Sequence, residues 1–150
     1  MPELRAGGLD IRYAAEGEGP PLLLLHGATS MGTHDWGAQR PLLRPDFRLF
    51  MPDARGHHRT RHELAAGWTR ADLVADALAF ADALGLEHFH VMGLSMGART
   101  AFELAMAQPQ RLLSVIALSP TLELEPAASG SRRRLDPRAG VRVVPAGAAG

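Results

Sequence analysis

His88-Phe89-His90-Val91-Met92-Gly93-Leu94-Ser95-Met96-Gly97-Ala98 is the stretch that decides the fold. Residues 88–92 read as a short, largely apolar strand. After Ser95, the residues Ala98, Ala101, Phe102 and Ala105 fall on one face of a helix that ends by Pro109, because the residue before a proline disfavours the α region. Between strand and helix lies Gly-x-Ser-x-Gly, a modest signal alone that gains mechanical meaning in this setting. A sharp strand-to-helix turn forces Ser95 into a strained backbone conformation and lifts its hydroxyl clear of the sheet. Gly93 and Gly97 have no side chains and let strand and helix approach closely around the turn. The helix N-terminus adds partial positive charge where an oxyanion would develop.

The same alternation extends outward. Residues 22–25, 49–51 and 112–118 are short apolar runs, the pattern of strands buried on both faces of a parallel sheet. Residues 9–15 read as an early strand or hairpin arm that ends in the turn cluster Glu16-Gly17-Glu18-Gly19-Pro20. The clearest helix covers residues 69–84: Thr69 and Asp72 have capping-box spacing, and Leu73, Val74, Ala77, Leu78, Ala81 and Leu84 make one apolar face. Gly85 supplies its C-cap. A further helix over residues 33–43 is weakened by Pro41. Strands alternating with helices indicate an α/β fold with a parallel sheet and right-handed crossovers.

Composition bounds the partners. The 150 residues are 46% hydrophobic and 21% charged, as in a globular domain. Sixteen basic residues balance sixteen acidic ones, so there is no electrostatic footprint for nucleic acid or an anionic membrane. The absence of cysteine removes disulfides, thiolate metal sites and a thiol nucleophile together. No apolar leader is visible at the N-terminus, and the run at 22–25 is far too short to span a bilayer, so a cytoplasmic location is the default expectation.

Two further motifs fall in order. Directly after residues 22–25 comes His26-Gly27-Ala28, and after 49–51 comes Asp53-Ala54-Arg55-Gly56-His57. With the Gly93-to-Gly97 motif, and with Pro109-Gln110-Arg111-Leu112 entering the next strand, they resemble the N-terminal part of serine-nucleophile α/β-hydrolases over roughly residues 10–120. The phrase Gly-Leu-Ser-Met-Gly is most like esterases and enol-lactonases.

The resemblance implies a parallel-sheet α/β-hydrolase fold truncated after about the sixth strand, with a partial domain over 1–125. It implies Ser95 as nucleophile, the backbone N–H groups of Ala28 and Met96 as the oxyanion hole, His26, Gly27, Gly93 and Gly97 as supporting residues, a small-molecule acyl substrate and no cofactor. Serine at 95 argues against the epoxide hydrolases and haloalkane dehalogenases of this fold, which use aspartate there. His58 and Ala98 stand where the family commonly has glycine.

The family's acid and histidine follow the nucleophile in the chain, and no histidine occurs after His90. Glu123 and Glu125 lie where some relatives place the acid, but without a later histidine an acid has nothing to orient. On this reading the chain is a fragment. The Ala-, Gly-, Pro- and Arg-rich stretch 126–150, with Arg132-Arg133-Arg134, reads as a disordered, solvated tail compatible with an out-of-frame translation. The rival reading is a non-catalytic or partner-dependent chain that self-associates through an exposed sheet edge.

Blander assignments apply to other residues. His26 reads as architectural rather than as a base, although recruitment of His26 or His57 as a substitute base remains a third alternative. Asp53 reads as a bond to its own turn. His57, His58 and His62 read as a solvated loop rather than a metal cluster, and His88 and His90 share a strand face without implying a metal. Met31 and Trp36 are placed at the acyl pocket by position alone.

Overall fold

The computed structural model describes residues 2–61 and 67–120. His62, Glu123, Glu125 and the stretch 126–150 lie outside the described residues. Among the described residues six strands form one mixed sheet in the order β1-β2-β4-β3-β5-β6. β3 (Pro21–Leu25), β4 (Arg48–Pro52), β5 (Phe89–Leu94) and β6 (Leu112–Leu118) are parallel, while β1 (Glu3–Ala6) and β2 (Leu9–Glu16) form an antiparallel arm along β4. β1 has no counterpart in the sequence reading. Its four residues are too short and too charged for a periodic signal, and its pairing to β2 across Gly7-Gly8 makes it a strand.

Successive side chains of a strand point to opposite faces, and both faces are buried here. Leu23 and Leu25 pack with Phe50, Phe89, Val91 and Val115 under α3 (Arg70–Ala83) and α4 (Met96–Ala107). Leu22 and Leu24 pack on the other face with Leu49, Met51, Met92 and Trp36. This two-sided burial is why the strands read as continuous apolar runs.

α3 begins as the sequence predicts. The Thr69 side chain accepts from the Asp72 N–H, the Asp72 carboxylate accepts from the Thr69 N–H, and Thr69 is the N-cap. At its other end, the Gly85 N–H donates to Asp82 and the Leu86 N–H to Ala81, with Gly85 at φ 69°, a Schellman cap. The buried face is shifted from the one read in sequence: Leu73, Asp76, Ala77, Phe80 and Ala81 are buried, and Val74 and Leu78 only partly. Phe80 meets Tyr13 edge to face at 5.2 Å. In α4, Leu104 rather than Phe102 takes the core position. In place of one helix over 33–43 there are two single-turn pieces, α1 (Gly32–Asp35) and α2 (Arg40–Leu43), with Pro41 in the first turn of the second.

β3 connects leftward to β4, whereas β5 connects rightward to β6. Adjacent parallel strands whose connections diverge leave a crevice at their carboxyl ends, the usual place for a ligand in open α/β sheets. The carboxyl ends of β3 and β5 carry His26-Gly27-Ala28 and Ser95.

Candidate active site

Ser95 sits between β5 and α4 at φ 52° and ψ −109°, a conformation rare for a residue with a side chain. Holding it costs about 1–3 kcal/mol. Three contacts over-determine it. The Ser95 N–H donates to the Leu118 carbonyl at 2.9 Å, and its own carbonyl accepts from Arg99 N–H at 3.0 Å. The third is steric: a Cβ at Gly93 would overlap the Gly97 carbonyl, and a Cβ at Gly97 would overlap the Leu25 carbonyl. Both glycines therefore serve close backbone approach, as the sequence predicts.

The loop after β3 is fixed peptide by peptide. The Gly27 N–H donates to Asp35 Oδ2 at 2.7 Å. The Gly27 carbonyl accepts from His26 Nδ1 at 2.7 Å and from the Ser30 N–H at 3.3 Å. A trans peptide sets its N–H opposite its carbonyl, so these bonds aim the Ala28 N–H. Among the described residues, no hydrogen bond takes up the N–H of Ala28 or of Met96. Met96 opens α4, where the first N–H groups have no partner within the helix. A Cβ at Gly27 would stand 3.7 Å from the Ser95 Cβ, so this loop and the serine turn are packed together.

The histidines have specific partners. His26 is buried; the Ala54 N–H donates to its Nε2 at 2.9 Å while its Nδ1–H is given to Gly27. Burial lowers its pKa, the Gly27 bond opposes this in part, and the nearby His57 ring adds to the lowering. With both nitrogens engaged it has none to offer Ser95, which supports the architectural reading. His57 bridges two backbone carbonyls, Ala28 O at 2.7 Å from Nε2 and Arg55 O at 2.9 Å from Nδ1. His58, at φ 46°, donates from Nδ1 to Asp53 Oδ2 at 2.8 Å. His57 and His58 are thus bonded rather than merely solvated. Asp53 is buried and reaches beyond its own turn, since its Oδ1 accepts from the Gly32 N–H at 2.9 Å. His90 meets Ser114 Oγ at 2.7 Å, and burial lowers its pKa.

Sequence reasoning missed two carboxylates. Asp35 follows Gly27 by eight residues with no periodic signal to link them. Asp76 lies on the buried face of α3, bonded to Arg55 Nε at 2.5 Å and Nη2 at 2.6 Å, and the bond raises the Arg55 pKa. An acid inside an apolar stripe was its legible trace. Trp36 is a core residue rather than a pocket wall. Behind the serine turn is a cavity of about 40 Å³ touched by Leu25, His26, Asp76, Phe80, Met96 and Thr100, room for water rather than substrate. Among the described residues no three His, Cys, Asp or Glu gather as a metal site requires, and no helix is long and apolar enough to cross a membrane.

Residues 20–142 match the alpha/beta hydrolase fold family. A fluoroacetate dehalogenase of a Burkholderia species is 30% identical over 116 residues, 75% of this chain and 38% of that protein. A 2-hydroxy-6-oxononadienedioate/2-hydroxy-6-oxononatrienedioate hydrolase of Pseudomonas putida is 35% identical over 117 residues, 73% of this chain and 40% of that protein. An epoxide hydrolase of Vigna radiata superposes with a TM-score of 0.76 at 28% identity, over 83% of this chain and 41% of that one. The chain spans less than half the length of the curated relatives it matches.

Proposed function

This chain belongs to the alpha/beta hydrolase fold family, and from that premise we propose that Ser95 is the nucleophile of a hydrolase acting on carboxylic esters, lactones or related acyl bonds. The observation that carries the reading is the backbone of Ser95, held at φ 52° at the head of α4 over the crevice between β3 and β5. Strain of this kind persists only where the surroundings enforce it, and it clusters at functional sites. The relatives include a dehalogenase and an epoxide hydrolase. By family resemblance those enzymes carry aspartate where this chain has Ser95, so the serine favours acyl chemistry.

In the proposed reaction Ser95 Oγ attacks the acyl carbon, and the developing oxyanion accepts hydrogen bonds from the Ala28 and Met96 N–H groups. The serine proton passes through a base to the leaving alkoxide, and water then releases the acid and restores the serine. His26 and His57 are both committed to backbone groups, which disfavours recruiting either as that base. Among the described residues no hydrogen bond joins Ser95 Oγ to a histidine.

The test is covalent labelling with a fluorophosphonate, read by mass spectrometry. Modification confined to Ser95 and lost in Ser95→Ala supports the reading. Hydrolysis of short acyl esters that survives Ser95→Ala overturns it. The second reading, a chain that acts only with a partner or a second copy, is favoured by β6, whose outer edge is unpaired among the described residues and carries no charged side chain. Labelling that appears only on addition of a complementing polypeptide would favour it.

A further inference from the structure

We propose that the outer face of the β1–β2 arm, together with Arg59 and Arg61 beside it, is a binding site for a small phosphate monoester, separate from Ser95.

The two strands of the arm set two ion pairs on one face. Glu3 stands directly opposite Arg12, and Arg5 opposite Asp10, in the antiparallel register, and each pair closes at 3.0 Å. Glu3 and Arg5 are two residues apart on β1, as Asp10 and Arg12 are on β2, so all four share a face. Opposite charges placed in this way satisfy one another.

The turn after β4 adds cations without anions. Thr60 is buried, and its Oγ1 accepts from the Arg12 N–H at 3.0 Å. The Thr60 N–H donates to the His57 carbonyl, and the Thr60 carbonyl accepts from the Gly56 N–H, each at 3.0 Å. These three bonds pin the turn against β2 and leave Arg59 and Arg61 exposed on either side of Thr60. Among the described residues neither arginine meets a carboxylate.

These groups wall one polar recess of about 440 Å³. Four arginines and two carboxylates line it, which leaves an excess of two positive charges. Gly8, in the turn between the strands, lines it as well, and a Cβ there would meet nothing within 4 Å, so that side stands open. The balance of sixteen basic and sixteen acidic residues over the whole chain conceals this local excess.

The chemistry of the recess selects the ligand. A guanidinium presents a planar fork that matches phosphate oxygens in pairs, and it stays charged at any physiological pH. A phosphate monoester carries about −1.5 to −2 charges near neutral pH, which matches the excess. The volume lies in the range of about 300–1,000 Å³ found for small-molecule sites, so the phosphate leaves room for an organic part. A single carboxylate would neutralise only half of the excess. A nucleic acid would require a longer track of cations than one recess supplies.

The experiment is a titration of the ¹⁵N-labelled 150-residue chain with phenyl phosphate, inorganic phosphate, benzoate and a single-stranded oligonucleotide at about 0.15 M salt. The signals followed are the Nε–H groups of Arg59 and Arg61 and the Gly8 amide. Phenyl phosphate is expected to saturate them with a Kd below about 1 mM, and the other three to bind more weakly. Arg59→Gln and Arg61→Gln should each weaken phenyl phosphate about tenfold, the worth of one charge-assisted hydrogen bond. Arg44→Gln, at an exposed arginine outside the recess, should leave binding unchanged. An equal loss in Arg44→Gln would show diffuse attraction to surface charge and overturn the site. Inorganic phosphate or benzoate binding as tightly as phenyl phosphate, an oligonucleotide binding more tightly, or shifts that never saturate at millimolar concentration would each overturn the proposal as well. Ser95→Ala should bind phenyl phosphate like the parent, so the outcome of Ser95 labelling has no bearing on this result.

Discussion

The carbonyl oxygen of Leu25, the last residue of β3, fills the space in which a Cβ of residue 97 would have to sit. Neither group can retreat cheaply, because one belongs to the sheet and the other to the first turn of α4. Gly97→Ala is expected to lower the unfolding free energy by at least about 2 kcal/mol, toward the upper range of overpacking costs. A urea titration in which the midpoint fails to move would refute this account of the turn.

Ser95 should respond in the opposite direction. Glycine adopts a positive φ freely, and relief of about 1–3 kcal/mol of strain exceeds its unfolded-state entropy cost of about 0.5–1 kcal/mol. Ser95→Gly is expected to stabilise the chain by about 1 kcal/mol while abolishing fluorophosphonate labelling. Destabilisation in the same denaturation assay would mean that the strain is not there to be released.

The Arg55–Asp76 pair is nearly buried, with side chains 12% and 10% exposed, and it fastens the turn after β4 to α3. Breaking one side leaves a charge without its partner. Asp76→Ala is expected to cost about 3 kcal/mol, the lower end for a buried pair, because Arg55 also reaches Asp72 at 3.7 Å. Replacing both residues by apolar ones of similar volume should recover most of the loss. A double variant no better than Asp76→Ala would show that the pair does more than balance its own charges.

His26 gives the chain a pH dependence of definite sign. Burial depresses its pKa below the ordinary value of about 6.5. The unfolded chain therefore takes up this proton first, and the contribution of His26 to stability is present above about pH 6.5 and declines as pH falls toward the lowered folded value. His90, depressed for the same reason, adds in the same sense. Unfolding free energy measured from neutral to mildly acid pH should fall, and His26→Asn should flatten the slope. A steeper slope in that variant would contradict the tautomer assigned from Gly27 and Ala54.

How much was legible followed from the range of each interaction. The α3 cap rests on groups within three residues, so Thr69 and Asp72 could be read directly. Gly93 and Gly97 were legible because only a glycine admits a carbonyl so near its Cα. The antiparallel arm was half visible: β2 has its own apolar residues, while β1 exists only through β2. Asp35 was not legible as a site residue, and His57 was read as a loop residue or substitute base rather than as a partner of backbone carbonyls, since peptide carbonyls and N–H groups leave no mark in a side-chain pattern. Asp76 was passed over for the inverse reason. A period-based reading discards the one acid in an apolar stripe, yet the fold buries it and supplies an arginine.

The bond from the Ser95 N–H to the Leu118 carbonyl makes the last residue of β6 a tether for the turn. The next residue, Ser119, also has a positive φ, at 49°, so two serines with left-handed backbones stand at the ends of neighbouring strands. The polypeptide thus leaves the sheet at a point mechanically continuous with residue 95. A displacement of the Leu118–Ser119 peptide would therefore carry the Ser95 N–H with it and retune the serine without touching its side chain.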